Sequence, residues 1–456
     1  MVRHCKYQLA SNRPRIYLRQ FALAGAVIAS ILVLSIEARA HVTPGEVVTA
    51  DQAQQVADLV SPGNLLLVKQ GMTMKIVPTG TIDWPAPYRA ATEKYSSQVR
   101  LSERGELTNY EAGLPFPMLD YNDPQIAQKI MWNFSYRPQY TDDVDIRDVE
   151  AENRNSDPHA SDAIEHFTIG HFALYNNVGR TEIAPTPSDP DASSSGIRYR
   201  FAVYPILEPS ELRGIGFLRY RHLDPALEDD VWIYDPTTRR TRRISPSGLS
   251  DTIEGGSQSD SSGVGGTSYA NTIDPDSYFG FAAKIEDFDY KLLGVKEMLA
   301  CVEAEDSPAH ACNTDNGRSV CKENWELRHL YVIEATARKT SLFGSPPAVP
   351  RRIIYIDSEG FFITASDLYD NDGRLWKTVA TFNTYRDRPT IDAKVSIWPF
   401  KRIFQTAMVD EDVRTGVSTV MFTPSRDSDY GDSWYINQGV VGPSTLQPDA
   451  IVRLGH

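Results

Sequence analysis

The strongest constraint on the fold lies between Leu330 and Asn383, where four short runs rich in aromatic and β-branched residues follow one another. They are Leu330 to Thr336, Ile353 to Ile356, Phe361 to Leu368 and Leu375 to Phe382. Such side chains are stiff at χ1 and pack well on a pleated surface. Between the runs, Ser358-Glu359-Gly360 and Asn371-Asp372-Gly373 supply the residues that short hairpin loops need. Strands joined by tight turns pair antiparallel, so this stretch predicts a meander. Further runs at Ile197 to Tyr204, Ile215 to Tyr220, Val231 to Tyr234, Val417 to Phe422 and Trp434 to Ile436 extend the pattern.

The first third has a different period. Val56, Ala57 and Val60 are spaced for a helix over Asp51 to Val60. Tyr88, Ala91, Tyr95 and Val99 recur at three and four residues, which predicts a helix from about Tyr88 to Leu101. Asp123-Pro124 offers a capping carboxylate before a first-turn proline, with Ile126, Ile130 and Met131 on one face behind it. The expected organisation is a helical region over 41–140, polar acidic loops over 141–196, and a sheet region over 197–456. The last contains a Gly/Ser-rich loop at 245–274 and a cysteine-bearing insertion at 299–326. No repeat of 20–50 residues is present.

The amino-terminal forty residues predict export. Arg3, Lys6, Arg13, Arg15 and Arg19 precede an uncharged apolar run from Phe21 to Ile36, and Ala38-Arg39-Ala40 gives the small-x-small pattern of a cleavage site between Ala40 and His41. The run is shorter than the roughly 20 residues of a membrane-spanning helix. The expected location is the periplasm, with outer-membrane association allowed. Cleavage would remove six of the 46 basic and one of the 60 acidic side chains, leaving a net charge of −19. Such a surface repels nucleic acid. In an oxidising compartment two of Cys301, Cys312 and Cys321 are expected to pair, leaving one free.

Chemistry-bearing patterns are sparse. His159, His166 and His171 are spaced by seven and five, which does not gather them on one helical face, and H-E-x-x-H is missing. Asp370-Asn371-Asp372-Gly373 lacks the closing glutamate of a calcium loop, since Val379 stands there. No nucleophile elbow, phosphate-binding loop or dinucleotide fingerprint occurs. The sequence therefore predicts no catalytic residue, no metal and no cofactor. Arg239, Arg240, Arg242 and Arg243 form the one dense basic cluster and are candidates for gripping an anion or a partner.

Three blocks also carry a resemblance: VWIYDPTTRRTRR at 231–243, YFGFAAKIEDFDYKLLGVKEM at 278–298, and the span from Arg328 to Lys377 containing RRIIYIDSEGFFITASDLYDNDGRLWK. Together with Gly71 to Gln98 and Gly113-Leu114-Pro115-Phe116-Pro117, they resemble the exported proteobacterial family called domain of unknown function 1329. After Met298 the chain departs from the family's usual continuation and carries the cysteine-bearing segment instead. The resemblance implies a LolA/LolB-like fold, a strongly curved, incomplete antiparallel barrel with a helical cover. It also implies lipid or lipoprotein traffic near envelope transport systems, and it supplies no catalytic residues.

The expectation is thus an α+β protein that carries or binds a hydrophobic ligand such as a lipid, acyl chain or sterol-like molecule. The alternative is a non-catalytic accessory subunit docking on an envelope transport complex. A half-open barrel leaves an apolar groove, for which Trp232, Tyr234, Phe361, Ile363, Tyr369 and Trp376 are the candidate lining residues.

Overall fold

The computed structural model describes residues 42–156, 164–244, 278–304, 310–338, 349–388, 398–424 and 433–454. The expected signal segment, its cleavage point at Ala40 and His41, His159 and the 245–274 loop lie outside the described residues.

Short strands β1 (Val47–Val48), β2 (Met74–Ile76), β3 (Arg100–Leu101) and β4 (Leu107–Thr108) accompany the early helices. Then come β5 (Asp143–Asn155), β6 (Ile164–Asn176), β7 (Ile197–Glu208), β8 (Gly216–His222), β9 (Asp230–Asp235) and β10 (Arg240–Ile244). The second series is β11 (Phe288–Ala300), β12 (His310–Ala311), β13 (Val320–Cys321), β14 (Asn324–Ala337), β15 (Arg351–Asp357), β16 (Ile363–Tyr369), β17 (Leu375–Arg386), β18 (Arg402–Asp412), β19 (Val417–Phe422) and β20 (Trp434–Ile436).

One curved sheet holds nearly all of them. Its order is β14-β15-β16-β17-β18-β19-β5-β6-β7-β8-β9-β10, with β11 on the outer side of β14 and β20 against β5. All these pairs are antiparallel; only β2 joins β14 in parallel, at its first residues. The sheet does not close: among the described residues no ladder joins β10 to β11. Those two edge strands are consecutive in the chain, and the segment Tyr278 to Asp287 between them is drawn into the interior. Tyr278 is fully buried; its backbone carbonyl accepts from Gln405 Nε2 at 2.6 Å, and its hydroxyl donates to the Gln405 carbonyl at 3.3 Å.

The expected meander is present, and the predicted runs fall on β7, β8, β9, β14 to β17, β19 and β20, except that Ile215 precedes β8 and Phe361 and Phe362 belong to the turn before β16, where Phe361 is left-handed (φ 57°). The acidic region 141–196 differs. Instead of solvated loops, residues 143–155 form β5 and 164–176 form β6; in β5 Val144, Ile146, Val149 and Ala151 face the core while Asp143, Asp145, Glu150 and Glu152 face the other way. The left-handed backbone of Asp148 (φ 55°) shifts the alternation midway.

The helices differ in detail. Residues 50–56 form a 3-10 turn, the second helix spans Ala86–Tyr95, and the third spans Ile126–Ser135. An unforeseen helix, Pro62–Gln70, starts on Ser61, whose Oγ accepts the Asn64 amide at 3.0 Å. It presses so closely on the sheet that a Cβ at Gly63 would lie 1.7 Å from Thr378 Oγ1, so only glycine fits there. The Ile126–Ser135 helix is the inner element. Ile126, Ile130, Met131, Trp132 and Phe134 are buried against Tyr331, Ile333, Ile354 and Ile356 of the sheet, each such side chain contributing about 1.5–3 kcal/mol. A short helix near the carboxyl end, Pro448–Leu454, covers the opposite face through Ile451.

Candidate functional site

The space left inside the curved sheet lies where the inner helix ends. Trp132, Phe134 and Tyr136 come from that helix and its C-cap, Arg198, Tyr199 and Phe201 from β7, and Phe279 to Ile285 from the inward segment. Two compartments of about 100 Å³ and about 320 Å³ share Tyr136, Arg198 and Arg221 as a common wall. Helix and loop are fixed in place: Asn133 accepts the Phe116 amide at 2.9 Å and donates to the Phe116 carbonyl at 2.8 Å, and Trp132 Nε1 donates to the Gly105 carbonyl at 2.9 Å.

Three arginines reach this cavity. Arg137 closes the helix C-terminus, donating to the Phe134 carbonyl at 3.0 Å and to Gln139 Oε1 at 2.6 Å, where a cation complements the helix dipole. Its guanidinium lies 4.6 Å from the Phe134 ring and 5.0 Å from the Phe279 ring. Burial pulls it down to about 10 from its ordinary value. Arg198 stacks 4.3 Å from Tyr136 and 5.4 Å from Trp132 and donates to Ser135 Oγ. Arg221 is paired with Asp229 at 2.8 and 3.0 Å and also donates to the Ala283 carbonyl at 3.2 Å. Burial works against both charges of that pair, yet mutual attraction raises the arginine and lowers the carboxyl. Tyr110, which stacks 3.9 Å from Tyr136, is raised chiefly by burial.

The residues singled out in the sequence are placed elsewhere. Trp232 and Tyr234 turn to the opposite face of the sheet, near Tyr220, Leu218 and Ile451. Phe361 and Ile363 lie in the core beneath the inner helix, where Phe361 stacks on Tyr331. Tyr369 lies beneath the Arg351 guanidinium, and Trp376 packs with Val349 and Leu368 and donates to Asp412 at 3.1 Å. The six thus fall into separate clusters, and none is among the residues lining the cavity. Alternation shows that a strand has two faces, but not which of them is concave. Phe279 and Phe281 of the YFGF block were within reach of the sequence; Arg137 and Arg198 carried no local signal.

Arg239, Arg240, Arg242 and Arg243 are exposed on and beside the free edge strand β10, with Arg243 paired to Asp230. Cys312 and Cys321 form a disulfide across the β12–β13 hairpin, and Cys301 is a buried thiol. The four residues from Asp370 to Gly373 form a turn in which Asp370 Oδ1 accepts the amides of Asp372 and Arg374. His166 and His171 pair with Glu150 and Asp145, each at 3.0 Å, across the β5–β6 ladder. Glu150, Glu152 and His166 bring ligand atoms within 4.8 Å of one another, but Arg154 Nε already binds Glu152 at 3.0 Å. The group is a ladder of hydrogen-bonded side chains along β5 and β6.

The family model described as "Protein of unknown function (DUF1329)" matches residues 47–429. No curated protein matches the chain. Among solved structures, the chain is similar to a domain described as an outer membrane lipoprotein-sorting protein from Vibrio parahaemolyticus, with 14% identity and a TM-score of 0.42 over 71% of this chain and 97% of that one. It is also similar to a DUF1329 family protein from Desulfovibrio piger (15% identity, TM-score 0.37, 67% and 92% coverage). A LolA superfamily protein from Nitrosomonas europaea gives 15% identity and a TM-score of 0.33 over 68% and 91%.

Proposed function

This chain belongs to the DUF1329 family, and from that premise we propose that it is a periplasmic carrier or binding protein for a hydrophobic ligand, linked to envelope transport. The observation that carries the reading is the cavity itself: an unclosed sheet encloses a space walled by Phe134, Tyr136, Tyr199, Phe201 and Phe279. Those walls enclose about 100 Å³; the adjoining compartment, about 320 Å³ and lined in part by Leu107, Tyr110, Trp132 and Val178, is of ligand size, since ligand cavities run from about 300 to 1,000 Å³. Each CH₂ group buried there contributes about 0.8 kcal/mol. The sequence pattern of export supports a site of action outside the cytoplasm, and no helix among the described residues is long and apolar enough to cross a membrane.

Native mass spectrometry of protein purified from periplasm without detergent, followed by solvent extraction, tests the reading. A bound mass that is released as a lipid or other hydrophobic compound is expected. A clean apo mass, together with no uptake of added single-chain lipids, overturns it. The exposed arginines of the β9–β10 hairpin favour one other reading, a non-catalytic accessory subunit that docks there on a transport complex. In that case a crosslinked partner is lost when Arg239, Arg240 and Arg242 become Ala.

A further inference from the structure

We infer that the ligand is a single-chain amphiphile with an anionic headgroup, and that Arg198 and Arg137 hold that headgroup; this rests on the carrier reading and names its ligand class. The inner compartment is lined by three arginines and by no carboxylate, within a chain whose 60 acidic side chains outnumber 46 basic ones. An acidic protein with a purely cationic chamber has segregated its charge.

Arg221 is already neutralised by Asp229. Arg137 and Arg198 are not. Among the described residues their hydrogen-bond partners are all neutral: the Phe134 carbonyl, the Gln139 amide oxygen and the Ser135 hydroxyl. The groups that act electrostatically on Arg137 are tyrosines, with no carboxylate among them. Both guanidinium groups are half-buried, and a cation partly removed from water without a counter-charge carries a desolvation cost that a bound anion offsets. Stacking on Tyr136 and Phe279 fixes both guanidinium planes in advance, so little freedom is lost when the N–H fork meets a carboxylate or phosphate.

The position of the headgroup follows from the second compartment. There Glu106 and Glu286 join the lining and repel an anion, although Lys284 partly offsets them. The anion therefore sits inward, at the junction that Arg198 lines from both sides, with the hydrocarbon along Leu107, Tyr110, Trp132 and Val178 of the larger compartment. The combined space, at the lower end of the usual ligand range, suits one chain or a compact polycyclic body better than a diacyl lipid.

The test uses cis-parinaric acid and its methyl ester as fluorescent probes on the mature, delipidated protein. The acid is expected to bind about tenfold or more tightly than the ester, a difference that shrinks towards unity in Arg198→Gln and is partly kept in Arg198→Lys. Displacement by palmitate or by palmitoyl lysophosphatidic acid then distinguishes a carboxylate from a phosphate headgroup. Equal binding of acid and ester to the wild-type protein overturns the headgroup assignment while the carrier reading stands. No binding of either probe overturns both. If Arg198→Gln fails to fold, the wild-type ratio and Arg198→Lys decide the matter.

Discussion

Asp367 shows how one side chain ties stability to pH. Fully buried, it accepts the Thr378 hydroxyl at 2.7 Å and the Gly63 amide at 3.4 Å, and among the described residues no cation is paired with it. Burial pushes its pKa up to about 6. The folded state therefore holds this proton more tightly than the unfolded chain does, so the stability it contributes is complete below about pH 4 and is lost as pH rises through about 6. Two pH units correspond to about 3 kcal/mol at most. Asp367→Asn, which cannot ionise, is expected to raise the thermal midpoint at pH 8 and flatten its slope between pH 4 and 6. Melts of both proteins across pH 4–8 check this, and parallel curves would exclude it. Gly280 is a second residue with a forced identity: its φ is +79°, and a Cβ there would lie 2.6 Å from Ile363 Cγ2. Gly280→Val is expected to cost about 1–3 kcal/mol in backbone strain alone and to dislodge the inward segment. Probe binding should then fall at least as steeply as the melting temperature does; intact binding would argue against the segment's role in the site.

Elements were legible where pattern and composition agreed. The hairpins around Ser358-Glu359-Gly360 and Asn371-Asp372-Gly373 combine turn chemistry with flanking β-branched runs, and they formed as read. In β5 the two signals conflicted, because a strand whose second face carries Asp143, Asp145, Arg147, Glu150, Glu152 and Arg154 looks like a solvated loop by composition. The carboxylates are held by Arg147 and Arg154, two residues along β5, and across the ladder by His166 and His171 of β6, and no local rule reveals the cross-strand partners. The β12–β13 hairpin is held differently. Its disulfide spans nine positions, and the hairpin is clamped to the end of the Pro62–Gln70 helix by Thr314 Oγ1 donating to the Gly71 carbonyl at 2.6 Å and to the sheet by Ser418 Oγ donating to the Arg318 carbonyl at 2.6 Å. Closing so short a loop is worth about 2–3 kcal/mol. Cys312→Ala/Cys321→Ala is expected to lower stability by about that amount, with faster amide exchange concentrated at residues 310–322. Exchange rising evenly over the whole sheet would contradict the local assignment.

At the scale of the molecule, the sheet's order was beyond reach of the sequence although its strands were not. Apart from the short β1–β2 pair at the start of β14, the chain enters the sheet in its middle at β5, runs to one edge at β10, resumes at the other edge with β11 and returns beside β5, where Val417 pairs with Asn155. Nothing local in either residue encodes that meeting. The cavity was hidden for the same reason, being assembled from segments near positions 134–140, 174–176, 198–201 and 279–285. The break in the sheet has a mechanical consequence. Its two lips are tied by continuous chain and not by a ladder, so spreading them would leave every strand pair intact. Among the described residues the tie is held by Gln405 with Tyr278, Arg221 with the Ala283 carbonyl, Lys284 with the Pro225 and Leu227 carbonyls, Arg338 with the carbonyls of Glu286 and Asp287, and the burial of Tyr278, Phe281 and Ile285 in the core. The molecule is in this respect a split ring with a clasp: the ladders set the curvature of the ring, and the tie alone sets the gap between its ends.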